Sequence, residues 1–162
     1  AAGPERVVAS LFAEKAGFEF DYVPSQDGGG MVTSLTSHSV DAIVANPSEV
    51  SGQIKAGNFR PLAYSEELRS TVYVDVPTFK EQGYDFAFSL PRGVVMPKGV
   101  SAEVQQWWVD TLKKVVATEE WKNYLKTNSL SGNTVWGQDF EKNLAHTNAD
   151  FKRVLTQIGA IK

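Results

Sequence analysis

Between Val7 and Tyr64 the chain alternates between two apolar periodicities, and this alternation constrains the fold more than any other feature. Val7, Val8, Leu11 and Phe12 recur at helical spacing, and Ala16-Gly17 closes that helix. Phe18, Phe20 and Tyr22 then alternate as in a strand, which Pro24 stops. The same reading predicts a short helix from about Met31 to Ser37, a compact apolar strand over Val40 to Asn46, a helix from Pro47 to Gly57 and a third strand over Phe59 to Tyr64. An αβαβαβ order of this kind implies an α/β fold, a parallel sheet covered by helices.

Beyond Tyr64 the pattern changes. "DVPTFKEQGYDFAF" predicts a short helix and then an extended segment from Tyr84, and a further strand is expected over Gly93 to Met96 before the turn Pro97-Lys98-Gly99. Ser101 is a suitable N-cap for a helix to about Ala117, packed through Val104, Trp108, Leu112 and Val115. Thr118 caps a second, shorter helix, and Asp139 to Ile158 reads as a long final one. No internal repeat interrupts this order.

Composition removes several functional classes. The 162 residues carry a formal net charge of -3, which offers no basic footprint for nucleic acid. The absence of cysteine excludes disulfides, thiol catalysis and cysteine metal sites. No apolar run approaches the roughly 20 residues of a membrane-spanning helix. The opening "AAGPERVV" has no basic segment followed by an apolar stretch, so a mature, truncated or cytoplasmic form is expected. Gly3-Pro4-Glu5 starts straight on a helix, with Pro4 at its first position, and this favours truncation.

The most suggestive chemistry lies in "SQDGGG", Ser25, Gln26, Asp27, Gly28, Gly29 and Gly30, between a strand and a helix. A phosphate-binding P-loop would follow its glycines with Lys-Ser/Thr, but Met31-Val32-Thr33 follows here, and no G-x-G-x-x-G is present. What remains is a turn with free N–H groups at a helix N-terminus, suited to any anion, a carboxylate included. A tight βα connection explains the glycines equally well. Asn46, delivered to a strand's C-terminal end, could hold a carboxylate or simply cap the next helix. His38 and His146 are far apart among polar neighbours, and neither a zinc-binding spacing nor a nucleophile elbow occurs. These residues suit a small-molecule binder better than an enzyme, with no metal or cofactor expected.

Taken in order, "YVPSQDGGGMVTSL", "VDAIVANPSEV", "IKAGNFRPLAYSEELRS", "DVPTFKEQGYD", "RGVVMPKGVSAE" and "EEWKNYL" resemble the tripartite tricarboxylate transporter receptor family, the Bug-type periplasmic solute-binding proteins. The resemblance covers essentially the whole chain. It implies a Venus-flytrap architecture of two α/β lobes around a cleft, a small di- or tricarboxylate or related organic acid as ligand, and transfer to membrane components of the transporter. It also implies a periplasmic or other extracytoplasmic location.

On this resemblance Gly3, Glu5 and Arg6, the run Ser25 to Gly30, and Asn46 form one wall of the cleft, with Ser89 and Arg92 near the crossover. Arg6 would complement an acid's charge. Residues 1–86 would form the ligand-binding lobe, and 87–162 the crossover and a C-terminal helical segment of the other lobe. The chain departs from the family where Ser25-Gln26 replaces a common Tyr-Lys and Ala45 a frequent Asp. Family members are also much longer, so faces bared by truncation could support a homodimer. Two other readings stay open: a cytoplasmic flytrap-type effector-sensing domain, and a small α/β enzyme acting on a phosphorylated substrate.

Overall fold

The structure, a computed structural model, describes residues 3–90 and 92–161. Its helices are α1 (Pro4–Ala16), α2 (Gly28–Thr36), α3 (Pro47–Lys55), α4 (Ala102–Val116), α5 (Glu119–Thr127) and α6 (Gly137–Gln157), with a 3-10 turn at Lys80–Gln82.

The core forms where α1 meets α6. Val7, Val8 and Leu11 of α1 cluster with Val154 of α6 and with Phe86 and Phe88, and Val7 and Val154 are almost wholly withdrawn from solvent. Aromatic rings extend the cluster: Phe12 lies 4.8 Å from Phe79 and 5.0 Å from Tyr84, Phe79 lies 4.7 Å from Phe86, and Phe88 lies 5.5 Å from Phe151. Arg153 Nη1 of α6 also donates to Glu14 Oε2 of α1 at 2.8 Å. That pair is part-exposed and worth about 0–1 kcal/mol, whereas each buried Val, Leu or Phe contributes about 1.5–3 kcal/mol. Apolar packing therefore joins the two ends of the chain, and the ion pair adds orientation.

Helix ends follow local chemistry closely. Gly17 closes α1 in the left-handed region at φ 72°, its N–H donating to Ala13 O at 2.8 Å. Ser101 and Thr118 cap α4 and α5 as expected, accepting from Val104 N at 3.4 Å and Trp121 N at 3.2 Å. The expected strands are a different matter. Residues 18–24, 40–46 and 93–96 form no ladder, and the sheet-type pairing among the described residues is one parallel bridge, Tyr64 to Thr78. A strand needs a neighbouring backbone within about 4.8 Å to complete its hydrogen bonds, and alternation along one segment does not supply that neighbour. The short helix expected in "DVPTFKEQ" is likewise only the 3-10 turn.

That turn is held by a reciprocal cap. Thr78 N donates to Glu81 Oε2 at 2.8 Å, and Glu81 N donates to Thr78 Oγ1 at 3.1 Å, the Thr-x-x-Glu capping box. Thr78 is buried, and Arg69 Nε holds the same Glu81 carboxylate at 2.9 Å. Thr78→Val keeps the volume and removes the hydroxyl. We expect it to cost about 1 kcal/mol and to lower the melting temperature by about 2–4 °C in a thermal denaturation series; an unchanged midpoint would show that the cap is dispensable.

Candidate functional site

The glycine run is not a loop. Gly28, Gly29 and Gly30 form the first turn of α2, which starts three residues before the expected Met31. Asp27 explains the earlier start, because its side chain accepts from Gly30 N at 2.7 Å and so offsets one of the helix's unpaired donors. Ser25 Oγ donates to Asp27 O at 2.8 Å, bracing the cap from behind. The N–H groups of Gly28 and Gly29 make no backbone hydrogen bond among the described residues.

Three helix N-termini open on one broad concavity of about 2830 Å³: Glu5 from α1, Asp27, Gly28 and Gly30 from α2, and Asn46 from the start of α3. Ser25, Gln26, Ser89 and Arg92 line it as well, so nine of the twelve expected residues line this one concavity. Gly3, Arg6 and Gly29 do not line it. Arg6 lies over the Tyr22 ring at 4.9 Å, a cation–π contact. Pro91, within the expected crossover, lies outside the described residues.

Each of these helix ends already holds a carboxylate from the chain itself. A Cβ on Gly3 would stand 2.6 Å from Glu5 Oε2, so the Glu5 side chain folds back over the start of α1. Asp27 serves α2. At α3, Glu49 accepts from Asn46 N at 3.3 Å and from Asn46 Nδ2 at 3.4 Å. The Glu49 carboxyl also reaches α2, where a Cβ on Gly28 would meet its Cδ at 3.0 Å. Asn46, expected either to hold a ligand or to cap, is thus engaged with Glu49. Glu49 was missed in the sequence, although Asn46-x-x-Glu49 has the spacing of a capping box.

Two titratable groups elsewhere in the concavity are perturbed. Burial pushes the Glu66 carboxyl up against a weaker lowering by a hydrogen bond to Ser131. Burial, helped by the Glu66 charge, pushes the Tyr64 phenol to about 12. Both histidines are exposed, and His146 Nε2 lies 3.5 Å from Asp150 Oδ2.

Comparison with known proteins places this geometry. The profile of the tripartite tricarboxylate transporter family receptors, TctC, matches residues 2–160. The chain is 25% identical over 150 residues to the UPF0065 protein in the gbd 5′ region of Cupriavidus necator, covering 93% of this chain and 46% of that protein. It is 32% identical over 99 residues to protein BugT of Bordetella pertussis, covering 60% of this chain and 30% of the relative. It therefore spans less than half the length of either.

A TctC solute-binding protein from Polaromonas, solved without ligand, superposes with a TM-score of 0.85 at 22% identity, over 96% of this chain and 54% of that one. An R. palustris protein solved with adipate gives a TM-score of 0.75 at 20% identity, over 96% and 52%. The periplasmic binding protein BugD gives 0.70 at 18%, over 97% and 54%.

Two expectations follow from the local geometry. Alanine in a helix is favoured over glycine by up to about 1 kcal/mol. At Gly29 a Cβ meets only Asp27 Oδ1 at 3.4 Å, but at Gly30 it would stand 2.6 Å from Ser25 Oγ. Gly29→Ala should therefore raise the denaturant midpoint and Gly30→Ala should not; equal gains would show that the Ser25 brace yields freely. Glu66, with its folded-state pKa raised, stabilises the fold below the ordinary carboxylate range, and that contribution is lost as pH rises through the raised value. Glu66→Gln should accordingly be the more stable form at neutral pH, with the difference vanishing in acid, as thermal scans across pH would reveal. The profile match across nearly the whole chain, together with the superpositions, establishes that this protein belongs to the tripartite tricarboxylate transporter receptor family and has the fold of TctC-type periplasmic binding proteins.

Proposed function

We propose that the protein captures a small carboxylate outside the cytoplasm and passes it to membrane components of a tripartite transporter, without chemical conversion. The observation that carries this reading is the convergence of the α1, α2 and α3 N-termini on one concavity. Positive helix ends and unpaired N–H groups stabilise an anion without a lysine or a metal. The Gly28 N–H group is the donor left over for it, with Ser25 and Asn46 beside it. Residues 1–86 would carry the ligand wall, and 87–162 would belong to the crossover and the other lobe. The adipate bound by the R. palustris relative supports a dicarboxylate as the first ligand to try.

Glu49 sets the terms of binding. Its carboxylate stands against Gly28, where an incoming acid would also come, so it repels that acid and competes for the same positive helix end. Titration calorimetry with adipate, with inorganic phosphate as competitor, tests the reading. Glu49→Gln should tighten adipate binding about fivefold, the equivalent of roughly 1 kcal/mol for an exposed pair. Asn46→Ala should weaken binding without unfolding the protein. Phosphate displacing adipate at lower concentration would favour an enzyme of phosphorylated substrates instead, and unchanged affinity in both variants would remove the α2–α3 corner from the site.

A further inference from the structure

We infer that this protein selects a carboxylate that also carries an ammonium group, an α-amino acid, over a plain dicarboxylate, with Glu49 as the residue that reads the positive charge. The inference rests on the capture of a small carboxylate proposed above, and deepens it by fixing the charge pattern of the ligand.

Charge balance is the first argument. Within the described part of residues 1–50, the carboxylates of Glu5, Asp27, Asp41 and Glu49 line the concavity, and no lysine, arginine or histidine does. Arg6, the cation nearest in sequence to these helix starts, lies over the Tyr22 ring instead. Later in the chain Arg60 and Arg92 bring positive charge to the lining, but Glu67, Glu141 and Asp150 more than match it. A cleft lined by one sign of charge concentrates the opposite sign and depletes its own. A dianion such as adipate therefore approaches against the field, towards helix ends that Glu5, Asp27 and Glu49 already hold. An added ammonium turns the same carboxylates from opponents into partners.

Spacing is the second. The Gly28 N–H donates to no backbone carbonyl among the described residues. The Glu49 carboxyl stands beside it, because a Cβ on Gly28 would meet Glu49 Cδ at 3.0 Å and Oε1 at 3.3 Å. A free donor and an anionic acceptor thus lie within one residue of each other. In an α-amino acid the carboxylate and the ammonium share one carbon, so the first can accept from Gly28 N–H while the second meets Glu49. A ligand whose charges are all negative can use the donor alone.

Bonding capacity is the third. An ionised carboxylate has about four acceptor sites. Glu49 accepts from Asn46 N and Nδ2 at 3.3 and 3.4 Å, both longer than the roughly 2.7–3.2 Å of a well-formed N–H···O bond. An ammonium brings three donors and forms shorter, charge-assisted bonds. Asp27 is less free, since its carboxylate already accepts from Gly30 N at 2.7 Å. Glu49 is the acceptor at this corner with room for a ligand.

Titration calorimetry with adipate and with 2-aminoadipate, which differ by a single ammonium group, tests the inference. The unaltered protein should bind 2-aminoadipate about tenfold more tightly than adipate. Glu49→Gln should weaken 2-aminoadipate about fivefold while tightening adipate, and these opposite signs are something a general loss of packing would not produce. Glu49→Asp keeps the charge and should keep the preference for the ammonium. Equal or weaker binding of 2-aminoadipate by the unaltered protein would overturn the inference and leave the carboxylate reading in place, and this comparison needs no variant to fold. A shift of the same sign for both ligands in Glu49→Gln would overturn the role of Glu49. Absence of saturable binding for either ligand would remove the carboxylate reading and this inference together.

Discussion

The packing of α1 on α6 is the contact on which the rest of the structure depends. It brings Val7 against Val154, residues from opposite ends of the chain, and seals them with Phe86 and Phe88. Because the two helices are far apart in sequence, closing this contact carries a chain-entropy cost that local contacts do not. Buried apolar area offsets that cost, and the part-exposed Arg153–Glu14 pair cannot do so at its magnitude. Once α1 is held, its N-terminus faces the concavity shared by the starts of α2 and α3.

At the candidate site the chain's own carboxylates occupy the helix starts that would attract an anion. Helix N-termini attract negative charge whether it comes from a ligand or from the chain. Here Glu5, Asp27 and Glu49 reach those positions first, at helices α1, α2 and α3. Each internal carboxylate stabilises its own helix start and lowers the attraction left for a ligand. Glu49 differs from the other two because it bridges two elements, bonded to Asn46 at α3 while lying against Gly28 of α2. Glu49→Gln removes the charge there while its amide oxygen can still accept from Asn46, and the Asp27 cap of α2 is untouched.

Sequence reading succeeded where the physics is short-ranged. Ser101, Thr118 and Gly17 punctuate their helices as read, because each cap involves a donor and an acceptor within a few residues. It erred at the glycines, since their turn preference outweighed the capping power of Asp27 one position earlier. It erred also on the strands, whose alternation was legible but whose partners were not. Nine expected site residues line the same broad concavity, whereas Arg6 lies over the Tyr22 ring, which pattern alone does not place beside it.

Taken by itself, the sequence determined the helices and their caps, the apolar stripes of α1 and α6, the lack of any thiol or basic patch, and, through its ordered motifs, the family. These depend on residue type and on spacings of a few positions, which local sterics and hydrogen bonding decide. Only the tertiary structure decided that Val154 closes over Val7 and that Glu49 faces Gly28. Those are relations between distant segments, and distance in space is set by which surfaces bury best together, a competition among the whole chain's faces that no single stretch encodes.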